Sequence, residues 1–182
     1  MRSTMIRTLS TLLIIAVSAW TVAQAAEMYT KHKGDKRRAE ATEEMALVYF
    51  FRPASMGAAI KTWGFVDDQL IGVSKPKGYY FGLVEPGKRI VWSKAENTSA
   101  LEVDLEAGQT YYFKQALRMG FNKARIKMIQ IDATEAEEYF AKCSFCEVSD
   151  EGRTRGAEIA ANRMERAEKN VEKKAANSAG FT

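Results

Sequence analysis

Two cysteines three positions apart, Cys143-Ser144-Phe145-Cys146, carry the spacing most suggestive of chemistry. A Cys-x-x-Cys pair exchanges disulfides when its first thiol stands at a helix N-terminus, whose partial positive charge favours the thiolate. Here the pair follows a helical run and so faces the negative end, where a thiol pKa rises. Cys143 and Cys146 are therefore read as a disulfide candidate or as idle thiols, with thiol-disulfide oxidoreductase as an alternative. Two Cys and a single distant His32 are too few for a four-ligand zinc site, so no metal or other cofactor is expected. The chain has no Gly-x-Ser-x-Gly elbow and no phosphate-cradling glycine loop. Asp67 and Asp68 adjoin in an expected turn, where short polar side chains stabilise the backbone locally rather than form a catalytic pair. Arg52 ends an apolar strand and is expected to pair with a buried acid, or else to meet a ligand. No catalytic residue is assigned.

The triplets Tyr79-Tyr80-Phe81 and Tyr111-Tyr112-Phe113 raise a different possibility. Alternation along a strand sends the middle ring to the opposite face from its neighbours, so both faces carry rings. One face is core. The other is either covered by a further layer or serves as a binding platform, which makes Tyr80 and Tyr112 candidate binding-face aromatics. A nucleic-acid partner is not expected, because 13 bases nearly balance 12 acids between Met45 and Val148.

The elements that must position these residues follow from the composition. Of 19 aromatics, 12 lie between Tyr49 and Phe113, and eight of the 12 Gly lie between Gly57 and Gly120. Aromatic and β-branched runs punctuated by Gly mark a β domain. Strands are expected at 46–52, 62–67, 69–73, 78–84, 88–94, 99–106, 110–117 and 124–131. The 99–106 run alternates Leu101, Val103 and Leu105 with Glu102, Asp104 and Glu106, giving one buried and one wet face. Glu85-Pro86-Gly87 is a turn, and Ala107-Gly108-Gln109 reads as a hairpin turn. The fold class is thus mainly β: a small antiparallel β-sandwich or partly open barrel of about eight strands, followed by a short helix and a C-terminal helix. Thr134 with Glu137 predicts a capping box for the short helix. The second is expected from about Ala157 to Ala176, with Ala160, Met164, Ala167, Val171 and Ala175 on one weakly apolar face.

Both flanks are polar or disposable. Residues 1–25 read as an export signal, with Arg2 and Arg7 before the apolar run Leu12–Val17 and the small-x-small pattern Ala23-Gln24-Ala25. Cleavage is expected between Ala25 and Ala26, with a retained anchor as the alternative. No Cys lies near that boundary, so no lipid anchor is expected. Removing two Arg leaves 25 bases against 23 acids, which argues for no polyanionic partner. No later apolar run is long enough to cross a bilayer. Residues 26–44, with five bases and five acids, read as a solvated leader containing an exposed His32. Residues 45–148 form the β domain and 149–182 a charged helical tail.

Five motifs in order carry a resemblance: Ala46-Leu47-Val48-Tyr49-Phe50-Phe51-Arg52-Pro53, Val66-Asp67-Asp68-Gln69-Leu70-Ile71-Gly72, Gly78-Tyr79-Tyr80-Phe81, Val84-Glu85-Pro86-Gly87-Lys88 and Leu105-Glu106-Ala107-Gly108-Gln109-Thr110-Tyr111-Tyr112. From Met45 to Lys142 the chain resembles a bacterial envelope family catalogued as domain of unknown function, number 2846. The resemblance implies a small, exported β domain, often lipidated, with no catalytic residues to carry over. This sequence departs in lacking the lipidated cysteine and in adding the Cys pair and the charged helix. The expectation is an exported, periplasmic or secreted, non-enzymatic module that binds an envelope protein or a small ligand. Helix-mediated assembly through residues 157–176 is a further alternative.

Overall fold

The computed structural model describes residues 27–119 and 124–179; the expected export signal and the expected Ala25/Ala26 boundary lie outside the described residues. The strands are β1 (Tyr29–His32), β2 (Ala46–Arg52), β3 (Thr62–Val66), β4 (Gln69–Ser74), β5 (Gly78–Val84), β6 (Gly87–Lys94), β7 (Thr98–Leu105), β8 (Thr110–Met119), β9 (Ala124–Ile131) and β10 (Ser144–Val148). Helix α1 (Ala133–Lys142) precedes β10, and α2 (Asp150–Ala179) follows it.

Two sheets stack face to face. The larger runs β1-β10-β5-β2-β8-β9 and the smaller β4-β3-β6-β7. Between them lie Val48, Phe50, Tyr80, Phe113 and Met128 of the larger sheet against Val66, Val91, Val103 and Leu105 of the smaller. Each outer face is then covered in turn. Helix α1 lays Ala136, Tyr139 and Phe140 on Leu47, Tyr49, Phe51 and Tyr79, while α2 lays Ile159, Ala160 and Ala167 on Trp63, Phe65, Trp92 and Ala100. Four layers explain why β2 is buried at every residue: a strand covered on both faces reads as an unbroken apolar run.

The architecture is the expected mainly β sandwich with two helices, and several details differ. The strands number ten among the described residues, not about eight, and the larger sheet is mixed: β2 runs parallel to β8, and β5 parallel to β10. The turn at Ala107-Gly108 does form, with Gly108 at φ 77°. It is not a hairpin, because β7 pairs with β6 whereas β8 pairs with β2 and β9. The chain crosses from one sheet to the other there. The sandwich does not close into a barrel; at the β7 and β9 edges side chains bridge instead, with Ile126 N donating to Asn97 Oδ1 at 2.6 Å and Met128 N to Ser99 Oγ at 3.0 Å.

The cap of helix α1 lies two residues before the expected one. Asp132 is the N-cap, its Oδ1 accepting from Glu135 N at 2.8 Å. Aspartate is favoured over threonine at an N-cap, and Thr134 already lies inside the first turn. Helix α2 also starts earlier, at Asp150, and is docked rather than free. Asn170 Nδ2 and Lys174 Nζ donate to the Thr98 and Ala100 carbonyls of edge strand β7, at 3.3 and 2.6 Å, which blunts an edge that would otherwise pair with another chain.

Residues 27–44 do not behave as a solvated leader. β1 adds to β10 as the sheet's edge strand. Beyond it the Tyr79 hydroxyl donates to the Arg37 carbonyl at 2.6 Å, and the Tyr49 hydroxyl accepts from Ala39 N at 2.8 Å.

Candidate functional site

Register decides the fate of the two aromatic triplets. Phe50 on β2 stands opposite Tyr80 on one side and Phe113 on the other, so those three rings share the inner face. Tyr49 stands between Phe81 and Tyr112 and shares the outer face with them. The middle residues of the two triplets therefore point in opposite directions. The expectation that Tyr80 lies on a binding face is corrected: it is 1% exposed. It fits between the sheets because Gly64 and Gly72 face it, and a Cβ at either position would come within 2.7 Å of its side chain. The Tyr80 hydroxyl accepts from Gln115 Nε2 at 2.8 Å, within a buried polar seam that includes Thr62 and Ser93. Burial drives its pKa well above the ordinary tyrosine value, and the Gln115 hydrogen bond opposes that.

Tyr112 lies on the outer face, half-buried. Its ring stacks on Tyr49 with centroids 5.6 Å apart, and Phe140 of α1 meets Tyr49 edge-on at 5.2 Å. Arg38 closes the arrangement: its guanidinium sits 4.0 Å over the Phe140 ring and grips the Glu137 carboxylate with bonds of 2.6 and 2.7 Å. A cavity of about 430 Å³ opens here, lined among others by Arg38, Glu40, Tyr49, Thr110 and Tyr112. Burial raises the Tyr112 pKa, Glu137 adds to the rise, and Arg38 opposes it. A ring face, a cation, a carboxylate and a hydroxyl around one cavity suit recognition of a small polar molecule. The sequence signal for Tyr112 was the triplet itself; nothing local marked Arg38 or Phe140, which arrive from a segment before the domain and a helix after it.

The two cysteines are free and buried. Cys143 packs with Phe140, Phe145 and Tyr79 on the outer face. Cys146, three residues on along an extended chain, faces the other way: its Sγ would lie 2.8 Å from a Cβ at Gly78, in the same spot as Ser74 Cβ. Extended backbone separates such Cα atoms by about 10 Å, beyond the reach of a disulfide. The disulfide candidate is therefore not brought together. Burial pushes the thiols up to about 11 and about 12, and nearby lysines, Lys31 first, only partly offset it. Neither is poised as a thiolate nucleophile.

The remaining candidates serve the framework. Asp67 sits at φ 49° in the β3–β4 turn, where its Oδ1 accepts from Ile90 N at 2.9 Å and its carbonyl from Trp92 Nε1 at 2.7 Å. His32 stacks on Phe145 and its Nε2 lies 3.0 Å from Glu147. Arg52 departs from expectation. It is fully buried, yet its guanidinium donates to the carbonyls of Ile60, Met56 and Gly57 rather than to an acid, and its Nε has no partner. Among the described residues, no group of three or more His, Cys, Asp or Glu converges to hold a metal ion, and no helix is long and apolar enough to cross a membrane.

Comparison with known proteins adds a family match but no activity. An uncharacterized protein of Haemophilus influenzae is 24% identical over 96 residues, a match that takes in 52% of this chain and 57% of that protein. This chain thus aligns with little more than half the length of that relative. No solved structure matches. Residues 42–128, a little under half of the chain, match the model of the family described as Protein of unknown function (DUF2846).

Proposed function

We propose that the chain is a non-catalytic binding module exported to the bacterial envelope, with the cavity beside Tyr112 as its contact surface for a small polar ligand. The cavity carries this reading: a half-buried tyrosine ring backed by Tyr49 and Phe140, with Arg38, Glu40 and Thr110 around it. Such a platform is preorganised, since Tyr49 is held by Ala39 and Arg38 by Glu137, and little ordering remains to oppose binding. The side chains with reactive potential support the non-catalytic reading, because Asp67 and both cysteines are occupied in structural roles.

The export half rests on residues 1–25. N-terminal sequencing of protein recovered from a periplasmic fraction should begin at Ala26, and recovery of the intact chain from the cytoplasm would overturn it. The binding half is tested by saturation-transfer NMR with a panel of monosaccharides and aromatic amino acids. Transfer to at least one member, lost in Tyr112→Ala, is the expected result. A panel that shows none, or transfer indifferent to the substitution, would sink it.

A further inference from the structure

A second cavity, of about 460 Å³, opens away from Tyr112 at the end of the sandwich where β1 starts, β3 begins and β4 ends. Tyr29, Lys31, Lys61 and Lys75 line it, with Glu27 as its single acid. All three lysines are half-buried. Lys31 Nζ is tied to the Pro76 carbonyl at 2.8 Å; Lys61 and Lys75 take part in no ion pair among the described residues.

Arg52 donates to the carbonyl of Ile60, the residue before the cavity-lining Lys61. A buried charge normally meets a counter-charge, because desolvation of an unpaired ion is strongly unfavourable. Arg52 is satisfied only by three carbonyls and keeps an unpartnered Nε. Ser74, fully buried and adjacent to the cavity-lining Lys75, has an unpartnered Oγ. The Arg52 charge acts on the cavity-lining Tyr29: burial raises the tyrosine's pKa, and the arginine is among the groups opposing the rise. Three lysines thus line the cavity against one carboxylate, with the buried Arg52 beside them, and two buried polar atoms at that end lack partners.

We infer that this cavity is a binding site for a phosphate-bearing small molecule, whose anionic oxygens meet Lys61 and Lys75 and supply the counter-charge that Arg52 lacks. Lysine ammonium groups bind phosphate as point charges without demanding a fork geometry. The volume exceeds that of free phosphate, leaving room for the group the phosphate is attached to. A soluble phosphate ester and a phospholipid headgroup present the same chemistry.

Titration of the purified chain with inorganic phosphate and with glycerol 3-phosphate, at ionic strength matched by chloride, tests the site, and co-sedimentation with phosphatidylglycerol vesicles against phosphatidylcholine vesicles distinguishes the sources. Binding to the free phosphates, weakened about tenfold or more in Lys61→Ala/Lys75→Ala, identifies a soluble ligand. Sedimentation with phosphatidylglycerol alone, lost in the same variant, identifies a headgroup. Glu27→Gln, which removes the single acid, should tighten whichever interaction is seen. Among the described residues neither lysine side chain makes a hydrogen bond or ion pair, so an unchanged circular dichroism spectrum is expected of the double variant. Absence of binding to every probe, or equal binding by wild type and the folded double variant, overturns the inference. The Tyr112 reading is untouched by either result, because the two cavities share no residue.

Discussion

Gln115 Nε2 donates to the Tyr80 hydroxyl at 2.8 Å, midway between the two sheets. The same amide nitrogen reaches Ser93 Oγ at 2.7 Å, and the Gln115 Oε1 accepts from Thr62 Oγ1 at 2.9 Å. One side chain of β8 thereby joins β5 to both β3 and β6 through groups that are shielded from water. Polar groups so placed specify how the sheets sit, since sliding either one would leave several of them unpaired.

Replacing Tyr80 by Phe removes one hydroxyl and leaves Gln115 its other partners, so a loss of about 1–2 kcal/mol is expected. Gln115→Ala strands four partners, Thr62, Ser93, Tyr80 and the Trp63 carbonyl, and opens a cavity, and about 3–5 kcal/mol should be lost. The pair Tyr80→Phe/Gln115→Ala should cost less than the two single losses together, because it removes both ends of the bond. Urea unfolding with unchanged m-values would measure all three; additive losses would show that the seam is not a network.

Helix α2 offers a reversal of the usual propensity rule. Gly→Ala inside a helix ordinarily stabilises by about 1 kcal/mol. At Gly156, however, a Cβ would come 2.4 Å from Leu70 Cδ2, and at Gly152 it would come 2.1 Å from the Met28 carbonyl oxygen. Both substitutions should therefore destabilise, Gly152→Ala more, since backbone yields less readily than a leucine tip. Thermal unfolding of the two variants decides the matter, and a raised Tm in either would contradict the docked helix.

Alkaline pH should unfold the chain through its buried thiols. The folded state holds the Cys143 and Cys146 protons to about 11 and about 12, against an ordinary value of 9.0. Below about pH 9 both folded and unfolded chains keep the protons, and the full contribution is present. Above it the unfolded chain loses them first, so stability falls by roughly 1 kcal/mol per pH unit for each thiol until the folded pKa is reached. Tyr79 and Tyr80, also raised by burial, steepen the decline. Stability measured from pH 8 to 11 should fall, and less steeply in Cys143→Ala.

The same thiols should resist oxidation to each other. Diamide treatment of the native chain should leave its intact mass unchanged, whereas treatment in urea should remove two hydrogens. A native loss of two hydrogens would mean that β10 rearranges enough to bring the sulfurs together.

Much of this was readable from local pattern. Alternation at Leu101, Val103 and Leu105 placed β7, and Glu85-Pro86-Gly87 placed the turn before β6, where Gly87 adopts φ 108°. What local pattern does not carry is partnership. β1 and β10 are short and mix charged with apolar residues, and each is a strand chiefly because the other, or β5, lies beside it. Tyr80 and Tyr112 looked equivalent as central residues of similar triplets; only the register of both against β2 separates a core ring from a half-buried one. Arg52 was legible as an anomaly, a charge closing an apolar strand, while its lack of an acid partner depends on which loops fold around it. The Ala160–Ala175 stripe of α2 is only weakly apolar and left its docking open, and the ring surfaces of Trp63 and Trp92 beneath Ala160 and Ala167 supply the area that alanines do not.

The pairing of β1 with β10 bears on the order in which the chain folds. His32 and Glu147 meet although 115 residues apart in sequence, and β10 itself needs β5 in place before it has an edge to join. The first strand made is therefore among the last to find its place, and it must wait until nearly the whole chain has been synthesised. Contacts so distant in sequence slow folding. For the length of that delay β1 has no β10 edge to pair with.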